Sequence, residues 1–117
     1  MTTQAIADRL VALCRQGQYE TAQNELYNED AESFEPNSEF VPYVKGLAAI
    51  KAKGEQFQSQ IEAFYGTEVS EPLVAGNYIS CTISLDCEFK GHGRMNMTEI
   101  ALYEVKDGKI VKETFYY

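Results

Sequence analysis

The sequence predicts an α+β domain, with helices packed on one face of an antiparallel sheet. Three observations carry that expectation. Apolar residues recur at helical spacing in the first half, they alternate strictly with polar ones in the second, and glycine-centred turns divide the second half into four long strands. At 117 residues, 44% hydrophobic and 24% charged, the chain has the size and composition of one globular core, so residues 1–117 read as a single domain.

Ile6, Leu10, Leu13 and Cys14 form the apolar stripe of a first helix over Thr3 to Gln16, with Thr2 or Thr3 as its cap and Gly17 suited to the left-handed position after it. A shorter helix follows on Tyr19, Ala22 and Leu26. Periodicity then stops in a segment containing Pro36 and Pro42, where Ala31 to Glu35 reads as a short strand. After Gly46 a third helix places Leu47, Ile50, Gly54, Phe57 and Ile61 on one stripe. Strands are expected over about residues 64–74, 77–90, 94–106 and 109–117, the clearest being Tyr78 to Phe89, where Ile79, Cys81, Ile83, Leu85, Cys87 and Phe89 share a face. Asp107-Gly108 is a strong type I′ hairpin signal.

The formal charge of −8 argues against nucleic-acid binding, which needs clustered Lys and Arg to neutralise phosphates. Seven acids fall between residues 18 and 45 against the one base Lys45, a pattern read as a solvated acidic face. Cys14, Cys81 and Cys87 match no zinc spacing and read as reduced, buried thiols of a cytoplasmic protein. No signal peptide and no membrane span are expected. His92, between Gly91 and Gly93, reads as an exposed turn residue. With no phosphate loop, Cys/His cluster or nucleophile elbow, neither cofactor nor metal is expected.

Two segments carry a resemblance: RQGQYETAQNELYNEDAESFEP, a helix pair leading to an acidic strand that ends in proline, and the final hairpin LYEVKDGKIVKETFYY. With them the chain resembles the NTF2-like superfamily, particularly its SnoaL-like branch. The resemblance implies three N-terminal helices on a strongly curved, mostly antiparallel sheet forming a cone. It also implies a mostly apolar cavity at the open end and a homodimer through the outer sheet face. Fold membership does not assign an activity, because this fold hosts isomerases, cyclases, dehydratases and non-catalytic binding proteins.

Steroid isomerases that resemble the chain carry a general base just before the proline of the short strand, which here corresponds to Glu35. The same comparison puts Leu10 and a position at or near Ala101 where those enzymes hold their two enolate-stabilising donors, so both donors are missing. Alternation places Met95, Met97, Glu99, Ala101, Tyr103 and Val105 on one face. If that face lines the cone, Glu99 is a second candidate acid or base, with Arg94, Tyr103 or Tyr43 as its donors. Tyr43, Phe57, Phe64, Met97 and Tyr103 are the candidate ligand-binding residues, although aromatic and methionine side chains at such places are more often plain core. The leading expectation is a protein that binds a small apolar molecule. An isomerase, cyclase or dehydratase with a buried carboxylate, and a non-catalytic interaction module, are the alternatives.

Overall fold

The computed structural model describes residues 1–117. Helix α1 (Thr3–Arg15) starts where the Thr2 hydroxyl accepts the Ala5 N–H at 3.1 Å, and the chain leaves it through Gly17 at φ +72°. Helix α2 (Tyr19–Leu26) buries Ala22 and Leu26 and runs directly into β1 (Tyr27–Phe34). Then come β2 (Tyr43–Lys45), α3 (Leu47–Ser59), β3 (Ile61–Val69), β4 (Leu73–Ala75), β5 (Tyr78–Phe89), β6 (Gly93–Lys106) and β7 (Lys109–Tyr116).

The strands form one seven-stranded mixed sheet in the order β2-β1-β7-β6-β5-β3, with β4 added beside β5. Every pairing is antiparallel except β1 with β7. The final strand therefore lies in the middle of the sheet, and its row of backbone groups is paired on both sides. That placement explains how a segment ending Thr114, Phe115, Tyr116 is accommodated. Asp107 at φ +53° and Gly108 at φ +77° give the β6–β7 hairpin the two left-handed residues a type I′ turn requires.

Several boundaries differ from expectation. The first strand begins at Tyr27, four residues before Ala31, because Tyr27 pairs with Ile110 and Glu32 to Phe34 with Lys112 to Thr114 of β7, a parallel partner that no local pattern reveals. Residues 43–45 form a strand because Pro42 accepts the Glu35 N–H at 2.9 Å and closes a loop back onto β1. Ile61 leaves the helical stripe and opens β3. The strand expected over 64–74 is two strands, interrupted at Pro72, which has no N–H to give a ladder.

One face of the sheet is covered and the other bare. On the covered face Ile6, Leu10 and Leu13 of α1 pack with Ile79 of β5, Ala101 and Tyr103 of β6 and Ile110 of β7 in one continuous cluster. Each such fully buried Leu or Ile contributes about 1.5–3 kcal/mol. The Arg15 guanidinium donates twice to the Val69 carbonyl, at 3.1 and 3.0 Å, tying the end of α1 to β3. No helix is long and apolar enough to cross a membrane.

Candidate functional site

The covered face changes character along β6. Val105, Tyr103 and Ala101 are buried, Glu99 and Met97 are half-buried, and Met95 is 44% exposed. The helices thus seal one end of the face and leave the other accessible, and ionisable side chains collect at the transition.

The deepest of them is Glu113, in the middle of β7 and 3% exposed. Strand pairing aligns it with Ser33 of β1 on one side and Tyr103 of β6 on the other. Its carboxylate accepts hydrogen bonds from the Tyr27 hydroxyl and, at 2.6 Å, from the Ser33 hydroxyl. Ser33 in turn accepts from the Lys53 ammonium of α3 at 2.6 Å, and Lys53 also pairs with Glu35 at 2.7 Å. The Tyr117 hydroxyl donates to the other Glu35 oxygen at 3.1 Å. The result is a continuous chain of contacts, Tyr27–Glu113–Ser33–Lys53–Glu35–Tyr117, leading from the core to the accessible end. Burial pushes the Glu113 carboxyl upward while the Ser33 and Tyr27 hydroxyls pull it back by stabilising the ionised form.

Glu99 belongs to the same region but not to that chain. Its cross-strand neighbour on β5 is Ile83, and β7 brings Phe115 opposite the adjacent Ala101. No hydrogen bond or ion pair engages its carboxyl. Burial, helped by the negative charges of Glu35 and Glu113 and opposed by Lys53, pushes it up to about 7. Two strand positions deeper, Tyr103 is 2% exposed, with its ring edge-on to Phe115 at 6.3 Å. No protein group hydrogen-bonds its hydroxyl. Since no sealed side-chain nitrogen or oxygen in the chain lacks a partner, that hydroxyl opens on a space of at least water size. Burial and the charges of Glu113 and Glu99 hold it well above the usual tyrosine range.

The residues singled out from sequence fall in three places. Glu35, Glu99 and Tyr103 come together on the covered face, with half-buried Met97 next along the strand from Glu99. Phe57 packs against Phe89 at 5.6 Å, and Phe64, paired with Cys87, is 58% exposed at the open end. Tyr43 is on the bare face, where it pairs with Phe34 and donates to Glu32 at 2.7 Å. It cannot serve Glu99 as a donor, and neither can Arg94, which forks onto Asp86 at 3.1 and 2.9 Å and stacks over Tyr65. Leu10 and Ala101 are plain core. Sequence reasoning passed over Glu113, Lys53, Ser33 and Tyr27. The alternation of Val111, Glu113 and Phe115 held the one usable signal, a carboxylate on an otherwise apolar face.

Two surface depressions lie away from this cluster. One of about 360 Å³ is lined by Glu29, Leu47, Ala48 and Lys51. The other, about 230 Å³, lies beside Leu73, Tyr78 and Leu102. All three cysteines are free and buried, and burial pushes Cys14 up to about 12 and Cys81 to about 11, which keeps both thiols protonated and unreactive.

With this arrangement in hand, comparison with known proteins defines the class: the SnoaL-like domain profile matches residues 1–117, and the chain belongs to that family. A crystal structure from Mesorhizobium loti, provisionally named a SnoaL-like polyketide cyclase, is 31% identical with a TM-score of 0.94, over 100% of both chains. A protein from Bacillus subtilis, provisionally named an isomerase, shares 20% identity at a TM-score of 0.72, over 99% of this chain and 88% of that one. One from Catenulispora acidiphila, with a ketosteroid isomerase-like fold and in complex with trimethylamine, shares 15% identity at 0.76, over 99% and 87%. Identities this low in the last two speak to fold alone. No curated protein sequence matches the chain.

Proposed function

We propose that this SnoaL-like protein binds a small, largely apolar organic molecule at the open end of a cone, the sheet curving around the helices. The observation that carries the reading is Glu99, a half-buried carboxyl without a partner among apolar and aromatic side chains. A buried polar group left unsatisfied costs about 1–3 kcal/mol, so such a group persists most readily where a ligand completes it. A thermal-shift screen with apolar compounds tests this. Ligands that bind only the folded chain raise its midpoint, and a flat response across the panel favours a non-catalytic interaction module instead.

A second reading makes the site catalytic. A carboxyl near neutrality is matched to general acid or base work, and the Tyr103 hydroxyl, four residues farther along the same face of β6, is a second donor for a developing enolate. Both are alternatives to the missing donors at Leu10 and Ala101. Glu35 has one oxygen on Lys53 and the other on Tyr117, so it serves this reading as base only when that pairing loosens. Glu35→Gln and Glu99→Gln, assayed on a panel of small ketones and polyketides, separate the roles. Full activity in both variants, or none in the parent, removes the catalytic reading.

The bare face supports a homodimer. Ile100 and Tyr116 lie opposite each other on β6 and β7, 52% and 46% exposed, and Tyr78, 50% exposed, adds a third large apolar side chain farther along the same face, the kind of exposed apolar surface a partner covers. Light scattering at micromolar concentration checks it, a monomer being the contrary result.

A further inference from the structure

The charge inventory of the open end narrows what its ligand is, on the reading that this end is a ligand site. When ionised, Glu35, Glu99 and Glu113 bring three negative charges against the single positive charge of Lys53. Lys53 is committed: it is paired with Glu35 at 2.7 Å and bonded to Ser33 at 2.6 Å. Glu113 is satisfied by two hydroxyls. Glu99 therefore remains as the one carboxyl of the group with neither a hydrogen-bond nor an ion-pair partner. The three acids do not converge as a metal site demands, since no group of three or more His, Cys, Asp or Glu side chains is set to hold an ion. The Phe115 ring lies beside them, edge-on to Tyr103, and the Lys53 ammonium sits 5.6 Å from its centre, the kind of contact an ammonium makes with an aromatic face. A second and independent pointer is the Tyr103 hydroxyl, 98% buried by its 2% exposure, without a protein partner, on the same face of β6 as Glu99 and within reach of the charges of Glu113 and Glu99.

We infer that the molecule held here is an organic cation, an aliphatic or alicyclic body carrying one ammonium, with the ammonium between Glu99 and the Phe115 ring and the body against Ile83 and Met97. An ammonium N–H donates to the Glu99 carboxylate and another to the Tyr103 oxygen, satisfying both partnerless groups at once. A neutral carbonyl compound would satisfy Tyr103 and a protonated Glu99 but leave the net negative charge of the cluster uncompensated.

The two ligand types differ in sign with pH. The charged groups around Glu99 are Glu35 after β1, Lys53 on α3 and Glu113 on β7; the neutral titratable ones are Tyr19 on α2, Cys81 on β5, Tyr103 on its own strand and Tyr117 after β7. Burial and its acidic neighbours push the Glu99 carboxyl up to about 7, so it changes charge near neutrality. A cation must find it ionised, so its affinity climbs as pH rises through that value; a carbonyl acceptor must find it protonated, so its affinity falls.

The experiment is an NMR titration of the full chain with cyclohexylammonium and with cyclohexanone, at pH about 6 and about 8. Cyclohexylammonium should bind with amide shifts centred on β6 and β7, about tenfold more tightly at the higher pH, with a proton released on binding at the lower one. Glu99→Gln should lose both the binding and its pH dependence; the pH dependence of the parent keeps the test independent of how that variant folds. Cyclohexanone binding without cyclohexylammonium, or ammonium binding with no rise in affinity, overturns the cation and leaves the ligand site standing. Binding of neither probe overturns both.

Discussion

Glu113 and Glu99 are carboxylates on adjacent strands of the same face, and the protein treats them oppositely. Glu113 is almost fully enclosed and has both oxygens engaged, by Tyr27 and Ser33. Glu99 keeps partial access and has no partner. Burial raises the proton affinity of both, but only around Glu113 do hydrogen bonds oppose it. A hydrogen-bonded buried carboxylate is part of the scaffold, whereas an unsatisfied one is held in a state whose cost the fold carries and a bound molecule can relieve.

The comparison breaks most visibly on truncation. Glu113→Ala should destabilise by about 4 kcal/mol in urea unfolding, because it opens a hole and orphans two hydroxyls in the core. The same change at Glu99 should cost less than about 0.5 kcal/mol or stabilise, having no partner to orphan. Comparable losses at the two positions would end the distinction drawn here.

Stability against pH sharpens it. The Glu99 carboxyl binds its proton more tightly folded than unfolded, so the folded state holds more protons between the ordinary carboxylate value of 4.5 and about 7, and stability falls as pH rises through that window. With partial solvent access tempering the effect, about 2 kcal/mol should be lost across it. Glu99→Gln, neutral throughout, should flatten that part of the profile. Glu113 also titrates upward, so some slope survives in the variant.

Smaller effects probe the link between the two. Ser33→Ala removes the hydroxyl that joins Lys53 to Glu113 and should cost about 1.5 kcal/mol at unchanged m-value. Tyr117→Phe removes one bond to Glu35 at the accessible end and should cost less than about 1 kcal/mol.

Much of this was legible in the residues themselves. The three helices, the long alternating strands and the Asp107-Gly108 hairpin follow from periodicity and turn chemistry, which act over a few neighbouring residues. Glu35 stood out through the proline after it, and Glu99 and Tyr103 through their shared parity. The Lys53–Ser33–Glu113–Tyr27 chain did not stand out. Its members come from α3, β1 and β7, up to 86 positions apart in the case of Tyr27 and Glu113, and each looks unremarkable in its own segment.

What the sequence determined alone was therefore the kind and order of the elements and which side of each strand is apolar, because backbone geometry maps residue spacing directly onto a face. The tertiary structure decided that β7 lies between β6 and a parallel β1. Only that pairing brings Ser33 beside Glu113 and leaves Glu99 without a partner, since hydrogen bonds and desolvation depend on which side chains meet across strands and on how much water remains between them.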